Sequence, residues 1–466
     1  PVLKMGRTVL ADDRIQTYVG QLLQKGSWHL GLIIGQLTSQ KDYAVHLVRT
    51  PEPVEDKASE DDENVVDEPT VKPRRKSLGR PESLDALNEQ WPATHAKQVS
   101  RMLPGGLDVI GVFAMAPPAM MQSSQTKLRQ IMFAIEKTQK KSMYDDWMDQ
   151  TSSERILLQI CSTTRKLTCR SLDVTDPKST FRPAEWKYQS TPERWIRLQS
   201  QVAMDFTVNV PQKLQNSSLI KQIQTGLHPY CQRITQGMVT LNGELRGGNE
   251  NLDQSADSKR GKGKEPSTQQ TFSMELLLPM CRVKQTTDKS IPQDHAGKVI
   301  LRGTLNSRAF VTTKATIAEA ERAFKNDVVR SLVSRCELLC EDLDVVEGDD
   351  AIELYDTPIR VFGKLPDTSV EFCDYMFQDE KIQEVMDRIN ELLDVAVTED
   401  DIDVTSERVA TEEDWSGGCK EDEEEEDEDK NGSDLGKELK YYLVAGVGIL
   451  VATVAAGLTY VFTNNS

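Results

Sequence analysis

The sequence predicts an α/β chain of the α+β kind that is tethered to a membrane by one C-terminal transmembrane helix. Three observations support this prediction. Apolar runs of strand length are interspersed with amphipathic helical patterns up to residue 395. Acidic residues then dominate, with nine in succession from Glu421 to Asp429. Residues 441–463 finally form a 23-residue segment without any charged side chain, which is long enough to cross a bilayer as a helix.

The first predicted domain covers residues 1–190. A disordered insertion is expected at residues 50–89, because this stretch is highly charged and poor in apolar residues. The remaining patterns predict helices at 12–25, 92–103 and 120–140, strands at 29–36, 43–49, 107–113 and 154–161, and further strands between residues 167 and 188.

A second α/β domain is predicted for residues 191–395, with a disordered polar linker at 243–270. Its patterns predict strands at 202–210, 272–278, 298–305 and 309–313, and helices at 316–341 and 379–393. The first of these helices begins with a capping box formed by Thr316 and Glu319. Residues 396–440 are predicted to form a disordered tether that repulsion among its carboxylates keeps extended.

The predicted membrane anchor carries aromatic residues near both ends. Tyr441, Tyr442 and Tyr460 are expected at the headgroup layers, where amphipathic rings are favoured. Lys437 and Lys440 precede the span, which predicts a single-pass orientation with the bulk of the chain in the cytosol. A buried helix of a soluble protein is the alternative, but such a helix usually retains a polar face.

Charge and cysteine usage exclude several classes of protein. The net charge of −18 originates in the two acidic segments, and the rest of the chain is mildly basic, so no nucleic-acid footprint is expected. The eight cysteines are scattered without a CxxC pair, and no histidine spacing fits a zinc site. The sequence therefore predicts neither a metal nor another cofactor.

Three single residues are candidates for a nucleophile or for a modification site. If Cys161 or Cys336 were a nucleophile, it would need a nearby base. The sequence offers no specific histidine partner for either cysteine, so core positions are predicted for both. Ser77 has arginines two and three positions before it, a pattern typical of a phosphorylation site for a basophilic kinase.

The order of elements in the first domain resembles an MPN domain, the fold of zinc isopeptidases that remove ubiquitin-like modifiers. The resemblance is sharpest at the sequence GVFAMAP, residues 111–117. An active member has Gly-Trp-Tyr-His-x-His-Pro there, and both histidines bind zinc. When this motif is aligned with the chain without gaps, its two histidine positions fall on Ala114 and Ala116. The aspartate position falls on Lys127, and only the serine position, Ser124, matches. Because alanine has no lone pair for a metal, the resemblance implies an MPN-like pseudo-isopeptidase domain without a catalytic or metal site.

The whole chain resembles the odorant-response-abnormal protein four (Odr-four) family. The resemblance rests on the segment VLKMGRTVLADDRIQTYV, the GVFAMAP strand, the acidic tether and the single C-terminal span. It implies a tail-anchored protein of the endoplasmic-reticulum membrane. It also implies binding and recruitment of a cysteine protease specific for the ubiquitin-fold modifier UFM, as a heterodimer, and support of the trafficking of some G-protein-coupled receptors.

We therefore expect a non-enzymatic adaptor that recruits the UFM-specific protease to the reticulum. Two alternatives remain open. One is a cryptic isopeptidase of the MPN class with an unrecognised site, and the other is a chaperone that contacts receptors directly through its span.

Overall fold

The computed structural model of the chain describes residues 7–26, 28–38, 41–52, 81–140, 152–190, 193–211, 217–253, 269–278, 295–343, 354–408 and 450–452. Two sheets dominate the architecture, a closed barrel from the first part of the chain and a four-stranded sheet from the second. Helices cover both of them, so the predicted mixed α/β class is confirmed.

The barrel has seven strands. They are β1 (Thr8–Asp12), β2 (His29–Gln36), β3 (Asp42–Arg49), β4 (Asp108–Ala116), β5 (Glu154–Cys161), β6 (Leu167–Asp173) and β7 (Arg182–Gln189). Their order is β1-β3-β2-β4-β5-β6-β7, and β1 closes the barrel by pairing in parallel with both β3 and β7. Strands β2 and β4 are buried along nearly their whole length, which explains their continuous apolar runs.

Four helices pack on the barrel wall: α1 (Asp13–Leu22), α2 (Gln90–Arg101), α3 (Pro118–Ser123) and α4 (Gln125–Lys140). On one face of the wall, α1 places Ile15, Val19 and Leu22 in a core with inward-facing strand residues. On the other face, α2 and α4 pack against each other and against β4. Burial of both faces accounts for the stability of a sheet that leaves little apolar surface in water.

The second sheet contains β8 (Trp195–Pro211), β9 (Met238–Leu241), β10 (Thr271–Leu277) and β11 (His295–Thr312), in the order β11-β8-β10-β9. Strands β8 and β11 pair antiparallel along their whole length. Helices α5 (Leu219–Gln236) and α6 (Ile317–Leu343) cover this sheet, and they share one apolar core with it.

The C-terminal part of the described chain adds β12 (Leu354–Asp356), β13 (Ile359–Lys364), β14 (Glu371–Met376), helix α7 (Ile382–Leu393), β15 (Ile402–Asp403) and β16 (Leu450–Ala452). A three-stranded sheet has the order β14-β13-β15. Its residues Val361 and Phe372, together with Ile389 of α7, join the core that lies under α2 and α4. The apolar core therefore crosses the predicted domain division at residue 190.

Several elements differ from the prediction. Strand β1, helix α5 and strands β13 and β14 were not predicted, and the two strands expected at 298–305 and 309–313 are the single strand β11. The helix expected at 120–140 is interrupted at Ser124, between α3 and α4. Leu84, Leu252 and Glu407 lie within segments that were predicted to be disordered, and all three are buried.

The predicted membrane span, 441–463, lies outside the described residues except for β16. Those three residues pair antiparallel with β12, so they are extended here and not helical. Within the described part of the chain, no helix combines the length and the apolarity needed to cross a membrane.

Candidate functional site

Strand β4 carries the two positions that the sequence resemblance aligns with zinc-binding histidines, Ala114 and Ala116. Ala114 and Ala116 lie on this strand, and both side chains are 0% exposed. Their methyl groups belong to the apolar core that also contains Leu30 and Leu128. The two positions are thus enclosed by apolar side chains and provide no donor atom for a metal.

The other two positions of the resemblance lie close to the start of α4. The side chain of Ser124 is fully buried, and among the described residues its hydroxyl has no hydrogen-bond partner. Lys127 donates a hydrogen bond of 2.8 Å to the carboxylate of Glu89, just before α2, and this contact lowers the pKa of Glu89. An ion pair between two helices therefore replaces the aspartate that would hold the third zinc bond. No group of three His, Cys, Asp or Glu side chains in the described residues is arranged to hold a metal ion.

The two cysteines weighed as nucleophiles have different environments. Cys161 ends β5 in a half-exposed position, and hydrogen bonds from Thr164 lower the pKa of its thiol. It lines a groove with Met121, Gln125, Gln159, Lys166 and Arg170, among other residues. The described lining of this groove contains no histidine that could act as a base. Cys336 lies in the core under the second sheet, where burial raises the pKa of its thiol well above the ordinary value.

The buried charges of the molecule are concentrated elsewhere, around Asp327 on α6. Its carboxylate is fully buried and accepts hydrogen bonds from both terminal nitrogens of Arg360 on β13, each at 2.9 Å. It also accepts the backbone N–H of Gly105 (2.8 Å), the backbone N–H of Arg308 (3.0 Å) and the hydroxyl of Ser307 (2.8 Å). This one side chain therefore joins α6, β11, β13 and the turn before β4.

Gly105 is required at this junction. A Cβ atom built on it would lie 2.1 Å from the carbonyl oxygen of Ala323 and 2.7 Å from the Cβ of Asp327. The backbone of the turn instead pairs with β11, through the N–H of Gly105 to the carbonyl of Arg308 (3.1 Å) and the N–H of Phe310 to the carbonyl of Gly105 (2.8 Å). The Pro-Gly-Gly sequence before β4 thus brings the barrel against the second sheet.

A second buried ion pair fixes the last residues before the acidic segment. Both carboxylate oxygens of Glu407 accept a hydrogen bond from Nη2 of Arg335 on α6, at 2.6 and 2.7 Å, and both side chains are 0% exposed. Glu407 also accepts the backbone N–H groups of Asn306 (2.8 Å) and Arg360 (2.7 Å). Residues up to 408 are therefore part of the folded structure.

Sequence reasoning did not identify this junction. The signal available was the presence of Asp327, Arg330 and Arg335 among the many apolar residues of one long helix. Charged residues at such positions are almost always paired when buried. The partners could not be assigned, since Arg360 and Glu407 lie 33 and 72 residues away from theirs.

The remaining predicted sites are not among the residues that the structure describes. Ser77, proposed from sequence as a phosphorylation site, lies in the undescribed stretch before residue 81. The aromatic residues of the anchor, Tyr441, Tyr442 and Tyr460, also lie outside the described residues.

Comparison with solved structures gives a distant likeness. A crystal structure of UfSP from C. elegans aligns with a TM-score of 0.40 and 8% sequence identity. The alignment covers 84% of this chain and 57% of that chain. A likeness at this TM-score carries no argument about function.

Comparison with known sequences is closer. "Protein odr-4 homolog" from Mus musculus is 33% identical over 406 residues, which cover 86% of each chain. "Odorant response abnormal protein 4" from Caenorhabditis elegans is 22% identical, over 71% of this chain and 68% of its own length. The family described as ODR4-like, "Odorant response abnormal 4-like", matches residues 31–404. This chain belongs to the odorant response abnormal 4-like family.

Proposed function

We propose that this chain is a non-enzymatic adaptor of the endoplasmic-reticulum membrane that binds the UFM-specific cysteine protease and holds it there. The observation that carries the proposal is the composition of the site at the end of β4. Ala114 and Ala116 are buried among apolar side chains where the resembled enzymes need zinc-binding histidines. The described residues at this site can support packing and binding of a partner, but not metal-dependent hydrolysis.

Family membership supports a role in the placement of other proteins. Relatives are named after an abnormal odorant response. We propose on this ground that this chain takes part in the localisation of G-protein-coupled receptors. The resemblance to the Odr-four family implies that the partner is the UFM-specific protease. An MPN-like module without zinc ligands suits the inactive half of such a heterodimer.

The tether and the anchor would confine the partner near the bilayer. The folded part ends no earlier than Arg408, and 32 residues separate it from the predicted span at residue 441. Random-coil scaling gives such a segment a reach of about 30 Å, and repulsion among its acids extends it further. A protease bound to the folded part would then be concentrated at the membrane without any new contact.

Removal of residues 441–466 tests this proposal. The truncated chain should still bind the UFM-specific protease, and both proteins should move from the membrane fraction to the soluble fraction. A control chain in which an unrelated apolar segment of equal length replaces 441–463 should return both to the membrane. Unchanged membrane localisation of the protease with the truncated chain would contradict recruitment, and failure of the control would favour direct contact of the span with cargo.

A further inference from the structure

Strand β8 is paired on both sides over only part of its length. On one side β11 follows it from end to end. On the other side β10 pairs with it only at Thr271, Phe272 and Ser273, opposite residues 197–199. From Met274 onwards β10 pairs with β9 instead. Among the described residues, no strand covers the second edge of β8 beyond Gln199, and the two diverging strands border an open cleft of about 600 Å³.

The hydrogen bonds of β11 show which groups of β8 face this cleft. Asn306 lies opposite Gln201, yet its N–H donates away from β8, to the carboxylate of Glu407. In an antiparallel pair, the residues of each strand direct their N–H and C=O groups alternately towards the partner strand and away from it. Two residues that lie opposite each other either both point towards the partner or both point away. The N–H of Arg197 accordingly donates to Gln270, on the side of β10. By the same alternation, Gln201 and Ala203 direct their N–H and C=O groups into the cleft.

The wall of the cleft on β10 includes exposed apolar surface. Leu278, which lines the cleft, is 38% exposed. Leu277 precedes it on β10 and pairs with Met238 of β9, and these two side chains are 44% and 58% exposed. Gln199 and Gln201 provide exposed polar side chains on the opposite wall.

We propose that an extended segment of the partner polypeptide adds to β8 in this cleft, pairing with the N–H and C=O groups of Gln201 and Ala203. An open strand edge recognises another strand, because donors and acceptors repeat along it at about 6.8 Å, every second residue. A helix has no spare backbone groups to offer. The added strand places apolar side chains against Leu278 and polar ones beside the glutamines. This inference rests on the proposed function for the identity of the partner.

Proline substitution at Ala203 tests the pairing. The N–H of Ala203 faces the cleft, so Ala203→Pro removes a donor from the open edge and leaves the ladder to β11 intact. Ala203→Val keeps the donor and is the matched control. Binding of the UFM-specific protease to the full chain in detergent should weaken about tenfold for Ala203→Pro, the effect expected from loss of one backbone hydrogen bond and the accompanying clash. It should change less than twofold for Ala203→Val.

Three outcomes would overturn the inference or its basis. Equal binding by both variants would exclude this edge while leaving the adaptor role in place. Failure of the unaltered chain to bind the protease would instead overturn the proposed function. Weakened binding by Ala203→Val to the same extent as Ala203→Pro would indicate a packing effect and overturn the pairing.

Amide hydrogen exchange in the unaltered full chain provides a second measurement that does not depend on the folding of a variant. Gln201 and Ala203 should exchange quickly in the chain alone, and they should become protected when the protease is added. Protection of both amides in the chain alone would show that the chain itself covers the edge. Protection that rises with the concentration of the chain alone would show a second copy in the cleft. Either result would overturn the assignment of the cleft to a partner.

Discussion

The end of β4 and the junction around Asp327 show opposite chemistry. The first carries the positions that the sequence resemblance aligns with metal ligands, and it is apolar, with Ala114 and Ala116 fully buried. The second lies in the core between sheets, where apolar residues are usual, and here Asp327 and Arg360 form an ion pair with both side chains at 0% exposure. The buried polar groups of this chain therefore connect its parts to one another.

This difference bears on the proposed role of the chain in positioning a partner. Removing charges from water is costly, and the cost is offset only when every hydrogen bond is satisfied. The carboxylate of Asp327 approaches this condition, because it accepts five hydrogen bonds from three places, the turn before β4, β11 and β13. Glu407 does the same at the start of the acidic segment. The junction thus fixes the barrel, the second sheet and the segment around Glu407 relative to each other.

The largest effect is expected from Asp327→Ala. The substitution leaves the guanidinium of Arg360 buried without its carboxylate, and the free energy of unfolding should fall by about 3–5 kcal/mol. Urea denaturation of the full chain in detergent measures this loss. Glu321→Ala on the same helix is the matched control, because Glu321 is partly exposed and pairs only weakly, at 3.9 Å, with Lys325. The control should stay within about 0.5 kcal/mol. Similar losses for both variants would contradict a special role of the junction.

A smaller effect is expected when histidines are restored at the end of β4. The double variant Ala114→His and Ala116→His inserts two polar rings into a packed apolar core, and it should destabilise the chain by about 2–3 kcal/mol. Zinc titration by calorimetry should show no gain in affinity over the unaltered chain. Ala119→His, on the exposed surface of α3, is the control and should be nearly neutral. Tight zinc binding by the double variant would contradict this prediction, because it would show that two substitutions are enough to restore a metal site.

How much of the fold could be predicted from sequence depends on the range of the interactions involved. Strands β2 and β5 match their predicted bounds to the residue, because a continuous apolar run is a local signal. Helix α5 was missed since Pro229 lies inside it, and β1 has only five residues.

The candidate sites divide in the same way. The alanines of β4 could be read directly from a motif. The pairing of Asp327 with Arg360 and the open edge of β8 could not, because both depend on contacts between residues that are far apart in sequence.

The smallest effect concerns two histidines that hold the end of α7, of which His95 is buried and His46 is partly buried. Nε2 of His46 donates to the carbonyl of Leu393 (3.0 Å), and Nε2 of His95 donates to that of Leu392 (2.9 Å). Burial lowers the pKa of each imidazole to about 4. The unfolded chain, with histidine pKa values near 6.5, therefore binds more protons between pH 6.5 and 4, and stability falls as the pH is lowered through this window.

Denaturation at pH 7 and pH 5 should show a loss of about 1–2 kcal/mol for each histidine. His95→Gln should remove its share of the pH dependence, and an unchanged profile in that variant would contradict the assignment. An effect of this size distinguishes the packing of α7 from the junction around Asp327, because replacing Asp327 should destabilise the chain at pH 7 as well as at pH 5.

Turnover tests the central claim, that this chain positions a partner and performs no hydrolysis of its own, most directly. The purified full chain in detergent, without the UFM-specific protease, is assayed on a UFM-linked and a ubiquitin-linked substrate, with and without a chelator and with Cys161→Ala as a variant. We expect no cleavage above the buffer background in any of these reactions. Cleavage that the chelator or the Cys161→Ala substitution abolishes would contradict the account.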